Sequence, residues 1–246
     1  MNNKSLAPLI ISFATIILLT FIVINSHSFK SVPEENELEI KSNLSLSSKP
    51  KKKISPIQKT EKNLSLNYSL EASNLIEKAQ KTLVKDNIVE AEDLLKTAIV
   101  LEPNNKIALD LLGGLYFKIG KYEEAEYFFK TLASLDKFKN SSSLNKLASA
   151  VAKRGKLKEA IELCLMAQQI DPNFAEAYIN AAAIFAKMGD NQNSIKNMQK
   201  AYNLIGSGIL FYCMDPVFDS LRTSPEFTEI ISKAQKQKEA DEITKN

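Results

Sequence analysis

Few residues of this chain have the types needed for covalent or metal chemistry, and their spacing argues against both. Cys164 and Cys213 are the two cysteines, His27 is the single histidine, and no CxxC pair occurs. A zinc site of the usual kind needs four close-set ligands, which these cannot supply. A thiol nucleophile needs a base within hydrogen-bond reach, and no histidine follows residue 27. A disulfide between the two cysteines needs an oxidising compartment and Cα atoms within about 7 Å, and otherwise both serve as small hydrophobes. Gly113-Gly114 falls inside a helical pattern, so it reads as close packing and not as a phosphate-binding loop. The net charge of +3 is small and spread along 246 residues, unlike the basic stripe of a nucleic-acid binder. These observations predict no enzymatic activity, no cofactor, no metal and no nucleic-acid partner.

The elements that carry the remaining residues divide the chain into four stretches. Residues 6–24, within an anchor region 1–25, are nineteen residues without a charge, LAPLIISFATIILLTFIVI. At 1.5 Å per residue they span roughly 28 Å, one hydrocarbon core. This predicts an uncleaved membrane anchor. The alternative is a signal peptide cut near Ser26-His27-Ser28 and a secreted product, but a signal core is normally shorter. The short N-terminal tail favours a single-pass protein of the bacterial inner membrane with the remainder in the periplasm. Residues 26–68 are rich in Ser, Lys, Asn, Glu and Pro and predict a disordered linker. Lys49-Pro50-Lys51-Lys52-Lys53 within it is a solubilising run or a patch for anionic headgroups.

From 69 to 208 the pattern is helical and periodic. Ala91, Ala125, Ala160 and Ser194 recur at intervals of 34, 35 and 34 residues, a period that signals a solenoid. Around each, a turn, a small residue, a bulky residue four later and a small or apolar one three after that define one helix face. Ala79, Gly113, Ala148 and Ala182 supply small residues on the preceding helix, so two helix axes can approach closely. Gly120, Gly155 and Gly189 suit left-handed caps, and Pro103 and Pro172 stop the second helix.

These positions closely resemble the tetratricopeptide-repeat (TPR) family over about 137 residues, as four units at 72–105, 106–139, 141–174 and 175–208, with Asn140 inserted. The second unit matches at Leu109, Leu112, Gly113, Tyr116, Gly120, Ala125, Phe129 and Leu132. Lys137 and Gly206 depart from the family by standing where a closing proline is usual. The resemblance implies an all-α, right-handed superhelical solenoid of about four helix-turn-helix units with a C-terminal capping helix. Residues 209–246 supply that cap and a charged tail: DPVF at Asp215–Phe218 and LRTSPEF at Leu221–Phe227 look like the end segment of bacterial TPR proteins. Val217, Phe218, Leu221, Phe227, Ile230 and Ile231 are predicted to cover the apolar end.

The resemblance further implies that other proteins or peptides bind the concave face, lined by first helices. Carried over residue by residue, that lining comprises Asp110, Gly114, Phe117 and Lys118 in unit two and Asn145, Ser149 and Lys153 in unit three. Ile179, Asn180, Ala183 and Lys187 follow in unit four, and Ile76 and Gln80 in unit one. Lys118, Lys153 and Lys187 form a row one unit apart that could read acidic groups, or simply favour the helix dipole. Ile76, Gln80, Leu111 and Ser142 stand where chaperone-binding relatives hold a terminal carboxylate, which disfavours that ligand. The function implied is a membrane-anchored interaction scaffold or adaptor of the cell envelope. The alternatives are an accessory subunit of an envelope enzyme or transport assembly that recognises a peptide or carbohydrate, and a structural tether without a specific groove.

Overall fold

The structure, a computed structural model, describes residues 56–244, and every regular element in them is helical. The proposed anchor at 6–24 and the linker up to residue 55 lie outside the described residues. Among the described residues, no helix is long and apolar enough to cross a membrane.

Eight of the described helices pack as consecutive pairs: α1 (Pro56–Val84) with α2 (Ile88–Leu101), α3 (Lys106–Lys118) with α4 (Tyr122–Leu135), α5 (Ser141–Lys153) with α6 (Leu157–Ile170), and α7 (Ala175–Lys187) with α8 (Asn191–Ile205). Each pair also packs on the next, which builds the expected solenoid. One boundary differs. α1 is 29 residues long and starts at Pro56, inside the segment read as a linker to residue 68. That stretch has no glycine, and its only proline stands at the first helical position, where a missing N–H costs nothing.

The turn inside every pair has one geometry. Gly120, Gly155 and Gly189 take φ of 78, 82 and 77°, and Asp86 takes 58° in the first pair, a conformation aspartate tolerates. The following N–H then reaches back to close the helix, as from Lys121 to the Tyr116 carbonyl at 2.9 Å and from Asp190 to that of Phe185 at 2.9 Å. Between pairs, α2 and α6 end two residues before Pro103 and Pro172. Lacking a proline, α4 ends through Lys137 and Phe138, both left-handed, and α8 ends through Gly206 at φ 55°. The inserted Asn140 caps α5 by accepting the Ser143 N–H at 2.9 Å, the task Asn105 performs for α3.

The predicted small residues do meet. Ala79, Ala91, Ala125, Ala148, Ala160, Ala182 and Ser194 are fully buried, and the Ser194 hydroxyl donates to the Ala182 carbonyl at 2.8 Å. The second pair carries the tightest fit, because a Cβ on Gly113 would lie 2.7 Å from the Phe129 ring. Only glycine leaves room for that phenylalanine.

After α8 come a 3-10 turn (Gly206–Gly208), α9 (Ile209–Cys213), a second 3-10 turn (Pro216–Leu221) and α10 (Pro225–Thr244). Asp215 caps the second turn by accepting the Val217 N–H at 2.8 Å. Phe218, Leu221, Phe227 and Ile230 are buried in one cluster with Met198 and Ala201, while Val217 and Ile231 pack at its margin. The apolar end of the solenoid is thereby covered, as a terminal unit requires.

Candidate partner-binding face

Among the first helices, α5 and α7 pack directly against each other. Side chains tie first helices together. The Lys146 ammonium donates to both carboxylate oxygens of Asp110 at 2.6 and 2.7 Å, linking α3 to α5. The Asn180 amide donates to Asn145 Oδ1 and to Ser149 Oγ, each at 2.8 Å, linking α5 to α7. Ser149 Oγ in turn donates to the Asn145 carbonyl at 3.0 Å. Three predicted lining residues thus form one cluster, and Asp110 pairs with Lys146, which the sequence reading missed. The available signal was an opposite charge 36 residues downstream, close to one repeat length.

Several predicted positions are not open. Asn145, Ile179 and Ile76 are buried, at 7, 6 and 6% exposure. Asn145 lies beneath Asn180, Ile179 joins the cluster under the cap, and Ile76 joins the main core. Phe117 is half-buried, packs on that core and meets the Tyr122 ring edge-on at 5.5 Å, so it is no free anchor. Its neighbour Tyr116 is buried, as expected, and stacks on Phe128. Ser149, Asn180, Ala183 and Asp110 are half-buried. Gly114, Gln80, Lys118, Lys153 and Lys187 are exposed. Lys118 is held by Asp86 at 2.6 Å, whereas Lys153 and Lys187 join no ion pair among the described residues.

A second set of contacts binds α2 and α4 to the units that follow them. Glu92 on α2 accepts from the Tyr116 hydroxyl at 2.8 Å and pairs with Lys96. The Lys96 hydrogen bond outweighs burial and lowers the Glu92 carboxyl, while burial, helped by the Glu92 contact, pushes Tyr116 up to about 12. Glu126 stands at the matching place on α4. Burial works to raise it, but Arg154 at 2.7 Å and Lys156 at 3.0 Å prevail and lower it. Burial also pushes the Cys164 thiol to about 12 and Cys213 to about 11, so neither is a thiolate at neutral pH. Among the described residues no group of His, Cys, Asp and Glu is arranged to hold a metal ion.

Residues 108–138 and 175–206 match the family model for the tetratricopeptide repeat. The TPR repeat-containing thioredoxin TTL4 of Arabidopsis thaliana is 29% identical over 86 residues, which is 35% of this chain. The chain spans 12% of that protein's length. The crystal structure of MamA superposes with a TM-score of 0.56 at 20% identity, covering 69% of this chain and 92% of that one. TTC0263, a thermophilic TPR protein of Thermus thermophilus, gives 0.55 at 18% identity, covering 68% and 91%. At these identities the two structures establish a shared fold. With the repeat register, the left-handed turns and the stacked first helices all in agreement, the chain carries tetratricopeptide repeats arranged as a solenoid.

Proposed function

We propose that this chain is a protein-interaction scaffold that holds a segment of another polypeptide along its first-helix face, and that residues 6–24 anchor it in a membrane. The observation that carries the binding reading is the arrangement on that face. Exposed Gly114, Lys153 and Lys187 flank the half-buried Ser149 hydroxyl and Asn180 amide, which the buried Asn145 holds in place from beneath. Such groups suit a polypeptide backbone, which offers a donor and an acceptor at nearly every residue. The open lysines add affinity for acidic side chains. The anchor reading rests on the nineteen-residue apolar run, long enough for one hydrocarbon core, and the reading sets the solenoid on the outer side of a bacterial inner membrane, in the periplasm.

A photo-reactive amino acid at Lys153 on α5 tests the face, with Lys158 on the exposed side of α6 as the control. Adducts to a defined polypeptide in native membranes are expected from Lys153 and not from Lys158. Equal labelling from both, or none from Lys153, would refute this face as the binding site. Protease added outside the intact inner membrane is expected to digest the solenoid, and full protection would reverse the orientation.

A further inference from the structure

Two glycines stand side by side in α3, and the fold explains only one of them. Gly113 makes room for the Phe129 ring, which a Cβ there would meet at 2.7 Å. Gly114 has ordinary helical torsions, and a Cβ on it would meet nothing within 4 Å. A glycine inside a helix loosens it relative to alanine, so Gly114 weakens α3 without serving any contact within the fold. The other use of a bare Cα is close approach by something outside the chain. Gly114 is exposed on the first-helix face, where Ser149 and Ala183 hold the matching places on α5 and α7. A second observation points the same way. Asn145 is 7% exposed and its Oδ1 accepts from Asn180, but its Nδ2 has no partner among the described residues and reaches the surface. Asn180 in turn donates with its amide nitrogen to both Asn145 and Ser149 and leaves its own Oδ1 open.

Resting on the binding face proposed above, we infer that its occupant is an extended acidic segment whose main chain lies directly on Gly114 and runs on across Ser149 and Ala183, one carbonyl held by Asn145 Nδ2 and one N–H by Asn180 Oδ1.

An open donor beside an open acceptor matches a peptide backbone whose own N–H and C=O are unpaired, which an extended segment offers and the interior of a partner helix does not. Distance agrees with that choice. An extended chain advances roughly 3.3 Å per residue, so about three residues cover the roughly 8–10 Å between neighbouring helix axes. Charge selects the side chains. Lys153 and Lys187 follow Ser149 and Ala183 by one helical turn, both exposed and without an ion pair among the described residues, so they complement acidic groups along the segment.

Peptides selected by phage display on the full chain in non-ionic detergent test this, at a length of about twelve residues, enough for the four first helices. The selected peptide is expected to be rich in Asp and Glu, and fluorescence polarisation reads its affinity. Gly114→Ala and Gly114→Gln are both expected to raise the midpoint of thermal unfolding, because each residue favours a helix over glycine. They are expected to raise the dissociation constant in the same order, glutamine by about tenfold or more, since its side chain stands where the main chain lies. A glycine kept for the fold alone would lower stability when replaced. N-methylation at one central residue of the peptide is expected to weaken binding, through loss of the N–H given to Asn180. Selection of no peptide or of a basic one, affinity indifferent to Gly114→Gln, or a peptide weakened by N-methylation nowhere, overturns the inference. Adducts from Lys153 alongside any of these results leave the face standing, whereas none from Lys153 refutes the face itself.

Discussion

Where the second helix of a pair meets the following unit, the N-terminal half of the solenoid uses charge and the C-terminal half does not. The position after the small template residue holds Glu92, Glu126, Ile161 and Ile195 in the four units. The lysine that opens the next second helix follows suit. Lys121 sits over the Tyr116 ring near Glu92, Lys156 pairs with Glu126, but Asp190 occupies that place after Ile161. First helices repeat the contrast. Asp110 and Lys146 join units two and three through an ion pair, whereas Asn145, Ser149 and Asn180 join units three and four through neutral hydrogen bonds. The repeat template therefore constrains the inside of each pair, while each joint is chosen separately. Charged joints respond to salt and acid, and neutral ones respond far less.

The largest effects test the two ends against each other. Phe218→Ala removes a fully buried ring from the cap and is expected to cost about 3–5 kcal/mol, with amide exchange rising first in α7 to α10. Gly113→Leu drives a side chain into Phe129 and is expected to cost about 1–3 kcal/mol, with exchange rising instead in α1 to α4. If both variants open the same region, the halves are not separable.

Smaller changes address the joint itself. Glu126→Ile alone leaves Lys156 without its carboxylate and Arg154 with Glu123 only, and is expected to cost about 1 kcal/mol, in the range of partly exposed pairs. Adding Lys156→Asp copies the joint between units three and four, and is expected to recover part of the loss while reducing the sensitivity of unfolding to salt. Chemical unfolding at low and high ionic strength reads both.

Acid gives the smallest effect. The Glu92 and Glu126 carboxyls are lowered in the folded chain, so the stability they contribute is present above their unfolded value and is lost as pH falls through the lowered one. Exchange in α1 to α6 is therefore expected to rise as pH drops below about 4.5. Glu126→Gln should flatten that response over α3 to α6 and leave the one at α1 and α2, where Glu92 remains.

The sequence by itself determined the repeat. A small residue every 34 or 35 positions, a glycine or aspartate at the left-handed turn inside each pair, and bulky residues at helical spacing leave one way to bury the apolar faces. These are local constraints, and local spacing expresses them. The Phe218 and Phe227 cap was legible for the same reason, since its caps and prolines lie within a few residues of the rings they position. Which first-helix positions stay open was not legible. The template treats Asn145, Ile179 and Phe117 as lining residues, but Asn180 covers the first, the cap cluster encloses the second and Tyr122 abuts the third. Those neighbours stand on other elements, and helical period carries no information about them. The start of α1 escaped notice because a polar segment without glycine reads as linker until a packed helix below extends it. Partner choice across the joints, such as Lys118 with Asp86 or Lys146 with Asp110, was decided by the tertiary structure alone. A charge separated from its partner by a whole repeat meets it only after the units stack.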